Sequence, residues 1–250
     1  MPLTLGLIGS GAIGTSLARL AVAAGLDVLL SNSRGPETLA DLVADLGGHA
    51  RAVTPAEAAR SGDLVVVTIP LKAYDQLPVD ALAHKTVLDT MNYYPQRDGR
   101  MAELDEDELT SGGLLQRHLA RSRVVKVFNN IGAHQLFTLA RPTGAPDRSA
   151  LPIAGDDAPA KEEAVRLLDT LGYDAVDIGP LTESWRTDPG TPVAGPAYLG
   201  EAPAGLTPQE WFHWASTTTG NPLPAERVLE LTKTAVRGPA GGVFPPGADG

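Results

Sequence analysis

Short apolar runs alternate along this chain with longer amphipathic stretches. Leu3–Ile8, Asp27–Leu30, Leu64–Ile69, Thr86–Asp89 and Val124–Phe128 have strand length and are rich in Val, Leu and Ile. Between the first two, the segment Ala12–Ala24 places Ile13, Leu17, Leu20 and Ala21 on one face of a 3.6-residue period, and Gly25 supplies a left-handed stop. Such alternation predicts a parallel sheet with crossover helices. The run Leu64-Val65-Val66-Val67-Thr68-Ile69 is apolar almost throughout, as a central strand covered on both faces must be. Just before it, Thr54-Pro55-Ala56-Glu57 has the spacing of a capping box with proline at the first helical position, which predicts a short helix there.

The pattern is interrupted once and then resumes. From Glu103 to Ser122 runs an insertion with Glu103, Asp105, Glu106, Asp107 and Glu108, followed by an amphipathic Leu114–Ala120; a block of like charge is expected to be a solvated loop or helix start. A strand near Leu151–Ala154, a helix from Pro159 to Leu171 closed by Gly172, and a strand near Ala175–Ile178 follow. The prediction is therefore an α/β fold of Rossmann type, doubly wound with a mainly parallel sheet, over residues 1–180. Beyond it, Pro189, Pro192, Pro196 and Pro203 predict an extended segment, and two helices follow within residues 181–238. The first opens at a second capping box, Thr207-Pro208-Gln209-Glu210, and carries Trp211, Phe212 and Trp214; the other covers about Pro224 to Val236. Residues 239–250, rich in Gly and Pro, read as a flexible tail.

Composition narrows the function. With 43% hydrophobic and 20% charged residues the 250-residue chain has the makeup of a soluble globular protein, and no apolar run approaches the roughly 18 residues of a membrane span. The N-terminus lacks the features of a signal peptide, so a cytoplasmic location is expected. The absence of cysteine removes disulfides and thiolate chemistry, and the five histidines lack ligand spacing, so no metal is expected. A net charge of -10 disfavours nucleic acid, which needs clustered cations. Redox chemistry would come from a cofactor.

One motif supplies that cofactor. Gly9-Ser10-Gly11-Ala12-Ile13-Gly14 is a Gly-x-Gly-x-x-Gly loop, and it follows a predicted strand and opens a predicted helix. In such a loop Gly9 makes the tight turn, Gly11 admits a pyrophosphate to backbone amides, and Gly14 lets the helix pack close to the sheet. NAD-specific sites place Asp or Glu at the end of the second strand to bind the ribose diol. Here the stretch is Ser31-Asn32-Ser33-Arg34, which holds no acid but two hydroxyls, an amide and a guanidinium, a donor set suited to a 2′-phosphate. The expected cofactor is NADP(H).

Ligands of open α/β sheets lie at the carboxyl ends of the strands. Those ends carry Thr68-Ile69-Pro70-Leu71-Lys72, Thr90-Met91-Asn92-Tyr93-Tyr94-Pro95 and Asn129-Asn130-Ile131-Gly132-Ala133-His134. The glycine loop, Ser33-Arg34, Thr68-Ile69-Pro70-Leu71, Asp89-Thr90-Met91-Asn92-Tyr93, Val124-Val125-Lys126-Val127-Phe128-Asn129-Asn130 and Ala154-Gly155-Asp156-Asp157 together resemble the NADP oxidoreductases dependent on the deazaflavin coenzyme F-420, over about residues 3–180. The resemblance implies an enzyme that exchanges a hydride between NADPH and a stacked deazaflavin, in which the protein supplies positioning and excludes water. By position, Pro70, Leu71 and Asn92 are expected to edge the nicotinamide, with Thr68 and Ile69 among the cofactor-binding residues beside them, and the backbone around Asn130, Ile131 and Ala133 is expected to meet the second substrate. Lys72, Tyr93, Tyr94 and His134 are candidate proton or hydrogen-bond donors, although loop tyrosines and lysines more often serve packing or the surface.

The region after Thr182 is longer than the resemblance implies, and its tryptophans suggest either ordinary helix packing, a subunit contact or a wall over another substrate. An NADPH-dependent reductase of a small imine or carbonyl is therefore the alternative enzyme, and a non-catalytic NADP(H)-binding redox sensor is the alternative of another class. The residues left after Pro180 are too few for the all-α domain with a catalytic lysine found in β-hydroxyacid dehydrogenases. A small-molecule redox substrate and a homodimer are the expected partners.

Overall fold

The computed structural model describes residues 3–241. In chain order the elements are β1 (Thr4–Ile8), α1 (Ala12–Ala23), β2 (Asp27–Ser31), α2 (Ala40–Leu46), β3 (Ala50–Ala52), α3 (Pro55–Ser61), β4 (Leu64–Val67), α4 (Val79–Leu82), β5 (Thr86–Asp89), α5 (Pro95–Asp98), α6 (Ala102–Asp105), α7 (Ser111–His118), β6 (Arg123–Lys126), α8 (Ala133–Thr138), β7 (Ala150–Gly155), α9 (Ala158–Leu171), β8 (Asp174–Asp177), α10 (Pro208–Thr217) and α11 (Ala225–Thr234). The eight strands form one sheet in the order β3-β2-β1-β4-β5-β6-β7-β8. The first six are parallel and doubly wound, β7 runs antiparallel to β6, and β8 is parallel to β7. The expected Rossmann-type sheet is therefore present.

Period-two alternation along the strands splits the core between the two faces. Leu64 and Val66 of β4 join Leu5, Leu7 and Leu88 under α1 and α9, whereas Val65 and Val67 join Ile8 and Val87 under α3 and α7. Both predicted capping boxes form: each threonine hydroxyl accepts from the backbone N–H of its N3 glutamate, and that carboxylate accepts from the threonine backbone N–H. Gly25 and Gly172 end α1 and α9 in left-handed conformation, with φ 79° and 97°.

Several details differ from the sequence-based expectation. The edge strand β3 has three residues, too short to display a period. The strand predicted to reach Ile69 ends at Val67, where Thr68 turns away over Gly9, and the one predicted to reach Phe128 ends at Lys126. Phe128 has a left-handed φ of 63°, a costly conformation that bends the following Asn129-Asn130 loop. The acidic insertion is only partly solvated. Glu106, Asp107 and Glu108 are exposed, but Glu103 receives both terminal nitrogens of Arg117 at 2.5 Å, and Asp105 accepts from the Tyr93 hydroxyl at 3.0 Å.

The C-terminal segment shares the core of the sheet. Val193, Tyr198, Leu223 and Val228 lie in the same apolar cluster as β7 and α9. The Tyr198 hydroxyl donates to the Ala150 carbonyl at 2.9 Å, and the Ala150 N–H donates to the Leu223 carbonyl at 2.8 Å. Of the expected tail, residues 239–241 pack against the loop after β5, where a Cβ on Gly241 would meet Pro95. The remainder, 242–250, lies outside the described residues.

Candidate functional site

The glycine loop has the geometry its spacing predicts. Gly9 has φ 112°, its N–H donates to the Ser31 carbonyl at 3.0 Å, and a Cβ there would stand 2.2 Å from the Thr68 carbonyl oxygen. A Cβ on Gly14 would come within 2.3 Å of the Gly9 carbonyl oxygen, so α1 packs against the loop only because that atom is missing. Gly11 differs: nothing lies within 4 Å of its would-be Cβ, and it opens α1 without a side-chain cap. Ser10, Ala12 and Ile13 complete this turn. The uncapped N–H groups and the positive end of the helix face open space, which suits a pyrophosphate.

At the end of β2 the expected donors separate into two groups. Ser31 is fully buried and its hydroxyl donates inward to the Leu7 carbonyl at 2.8 Å, which takes it out of the donor set. Asn32 shapes the turn: its Oδ1 accepts from the N–H groups of Arg34 and Gly35 at 2.9 and 3.0 Å. That turn leaves Ser33 and Arg34 exposed, and the Arg34 guanidinium has no ion pair among the described residues. Together with the open glycine turn, these free donors fit a dinucleotide bearing a 2′-phosphate.

At the strand ends the loops are stitched to one another. Asn92 donates to the Asn129 carbonyl at 2.7 Å, Asn129 donates back to the Asn92 Oδ1 at 3.1 Å, and Asn129 also donates to the Thr187 carbonyl at 3.0 Å. Asn130 is buried and donates to the Val193 carbonyl and the Tyr198 hydroxyl. Ala133 begins α8, where its carbonyl accepts from the Ser16 hydroxyl of α1 at 2.8 Å, so α8 and the cofactor helix are tied together. Thr68 and Ile69 border the glycine loop and Pro70 follows them in the chain, whereas Leu71 is fully buried in the core and Ile131 is nearly so.

The candidate donors fall in different surroundings. Lys72 is exposed. Tyr93 is buried, and its hydroxyl is occupied by Asp105 and by the N–H of Met101 at 2.9 Å. Tyr94 is partly buried beside Arg97, whose guanidinium lies 5.1 Å from the ring centre, and burial pushes its pKa up. His134 sits partly buried in the first turn of α8.

Beneath these loops lies a charged cluster to which the sequence assigned no role. Lys126, almost fully buried at the end of β6, donates to the Asp89 carboxylate at 3.0 Å, to the Ser111 hydroxyl at 2.9 Å and to the Met91 carbonyl. Burial pushes the Asp89 pKa up, and the Lys126 charge opposes that shift. The 181–187 turn brings Asp188 to this cluster. Its Oδ1 is buried with no hydrogen-bond partner among the described residues, and desolvation pushes its pKa up to about 6, against the pull of Lys126. A lysine inside an apolar strand was the available signal for the first pair. Asp188 gave none, because it sits in an aperiodic Pro/Gly-rich stretch.

Residues 4–93, which carry the glycine loop and the loop after β5, match the family model described as NADP oxidoreductase, coenzyme F420-dependent. No curated protein matches the chain in sequence. Among solved structures, a hypothetical protein from Sinorhizobium meliloti is 25% identical with a TM-score of 0.68, over 78% of this chain and 93% of that one. A proposed F420-dependent NADP reductase from Arthrobacter sp. FB24 is 24% identical with a TM-score of 0.62, over 72% of this chain and 86% of that one. A reductive aminase from Aspergillus terreus, solved with NADPH and ethyl-5-oxohexanoate, is 18% identical with a TM-score of 0.52, over 73% of this chain and 57% of that one, and like the Arthrobacter protein it is similar in fold. Residues 4–93 thus carry the signature of the NADP oxidoreductase family dependent on coenzyme F-420, and the chain is an NADP-dependent oxidoreductase.

Proposed function

We propose that this protein exchanges a hydride between NADP(H) and a deazaflavin coenzyme of the F-420 type. The observation that carries the reading is the uncapped α1 N-terminus behind an open Gly11, together with an exposed Ser33-Arg34 turn free of acid, inside the segment that matches the F-420 family. Bound NADPH supplies a hydride from its nicotinamide. Gly9, Ser10, Gly11, Ala12, Ile13 and Gly14 hold the pyrophosphate through backbone N–H groups and the α1 dipole, while Ser33 and Arg34, on the turn that Asn32 shapes, hold the 2′-phosphate. Thr68, Ile69, Pro70 and Asn92 border the nicotinamide, with Leu71 supporting them from the core. The loop Asn130, Ile131 and Ala133, fixed to α1 and Tyr198, orients the second substrate. The test is direct: NADPH added to purified protein and oxidised deazaflavin should bleach the deazaflavin in proportion to the NADPH consumed. A protein that binds NADPH yet leaves the deazaflavin oxidised refutes the assignment.

A second reading, reduction of a small imine or carbonyl, is favoured by one observation. Tyr94 and Asp188, both able to hold a proton, flank the strand-end loops. NADPH oxidation by a cyclic imine or a ketone, with none by the deazaflavin, would select it.

A further inference from the structure

We infer that Asp188 is the general acid of this site, the side chain that delivers the proton accompanying hydride addition to the second substrate. The inference rests on reading the strand-end loops as the hydride-transfer site, and it holds for either acceptor.

The position of Asp188 is fixed by long-range bonds. Thr187, its neighbour, donates to the Asn129 Oδ1 at 3.1 Å and receives an Asn129 amide bond on its carbonyl at 3.0 Å. Asn129 is in turn bonded to Asn92, so the turn that carries Asp188 is docked on the two loops proposed to border the nicotinamide. Its own backbone is closed by bonds to Trp185 and Thr191. What remains is a carboxyl whose Oδ1 is shielded from water and unpartnered, although nearby donors abound. Each donor is used elsewhere. Lys126 serves Asp89, Ser111 and Met91; Asn129 serves Asn92 and Thr187; Arg237 serves Asp107 and the Leu109 carbonyl. A buried carboxyl oxygen without a partner costs stability, so the fold gains nothing from it. A site that must release a proton into a dry cleft does gain from it.

The surrounding charges suit that role. Lys126 and Arg237 favour the carboxylate, Asp89 opposes it, and burial outweighs them and keeps the acid protonated up to about pH 6. Tyr94, held by Arg97, Asp98 and Asn92, lies near enough to Asp188 for the Asp188 charge to push its pKa further up. In the step, the acceptor carbon gains the hydride as its C=N or C=O double bond, or the equivalent conjugated bond of a deazaflavin, opens. The Asp188 O–H bond breaks and an N–H or O–H bond forms on the acceptor heteroatom. The nicotinamide dinucleotide leaves oxidised, and solvent returns a proton to the carboxylate.

The experiment uses the full chain and the isosteric Asp188→Asn substitution, with three measurements. In the protein without cofactor, the melting temperature of the wild type should fall between about pH 4 and pH 7 more steeply than that of D188N, which lacks the buried titrating acid. NADPH affinity should change by less than about threefold, since Asp188 lies away from the phosphate donors. Turnover with the accepting substrate should fall by about 100-fold or more, the loss of activity toward high pH should disappear, and Asp188→Glu should recover part of the rate. Wild-type turnover and pH profile in D188N overturn the proposal, as does a rate loss matched by lost stability or lost NADPH affinity. If the wild type oxidises NADPH with no deazaflavin, imine or carbonyl, the hydride-transfer reading fails and the role of Asp188 fails with it. Turnover that survives in D188N refutes the acid alone.

Discussion

Arg34 and Gly9 show how much of the proposed cofactor site rests on single residues. The Arg34 guanidinium is exposed on a turn whose shape is set by Asn32, so removing it should leave the fold untouched and delete one charge-assisted contact to the 2′-phosphate. Arg34→Ala should weaken NADPH by about tenfold or more and NADH hardly at all, a difference of about 1.4 kcal/mol or more. Titration of both cofactors checks it, and equal losses would remove Arg34 from the phosphate site. Gly9→Ala acts on the backbone instead, because the new Cβ would meet the Thr68 carbonyl oxygen at a φ of 112°. It should cost both stability and binding of either cofactor. Asp188 has a sign of its own. Its folded pKa of about 6 lies above the ordinary carboxylate value of 3.8, so its ionisation opposes folding. That penalty is absent below about pH 4, grows between the two values and is complete above about pH 6, where it is on the order of 3 kcal/mol.

The elements differ in how plainly the chain announces them. α1, α9 and both capping boxes were legible because their signals are local: one apolar face, one glycine stop, one Thr-Pro-x-Glu. The glycine loop was legible for the same reason, and topology placed the strand-end loops without any side-chain information. β3 was not, since a three-residue edge strand carries no period. The inward turn of Ser31 was hidden because a residue's face at a strand end depends on where the strand stops. Thr187 and Asn129 were hidden because their bonds span 58 residues, and only the folded sheet brings them together. Lys126 is the instructive middle case: the strand pattern places it in the core, but only its partners say why it is tolerated. It joins the ends of β5 and β6 through Asp89. Lys126→Met should therefore cost about 3–5 kcal/mol by leaving the Asp89 carboxylate uncompensated. Asp89→Asn combined with Lys126→Met should cost less than the two single losses summed, which urea unfolding of the three variants would reveal. Additive losses would mean that the pair is not coupled.

At the scale of the molecule, the question is whether the segment after Pro180 is an accessory to a finished Rossmann sheet or a part of it. Val193, Tyr198 and Val228 are fully buried in the cluster that also holds Leu151, Ile153 and Leu168, and Leu223 is nearly so. At about 1.5–3 kcal/mol for each buried apolar side chain, those four contribute an amount comparable to the whole stability of a typical domain, about 5–15 kcal/mol. Removing them would also strip the Asn130 amide and both backbone groups of Ala150 of their partners, each now buried. Chain cut after Pro180 should therefore fail to give a cooperative thermal transition, even though it retains the glycine loop and all eight strands. A soluble 1–180 fragment that melts cooperatively within a few degrees of the full chain would show the segment to be accessory. The two outcomes differ for function as well, because Thr187 reaches Asn129 only through this segment. A folded fragment should still bind NADPH at the phosphate loop, yet it would have lost the turn that fixes the second half of the site.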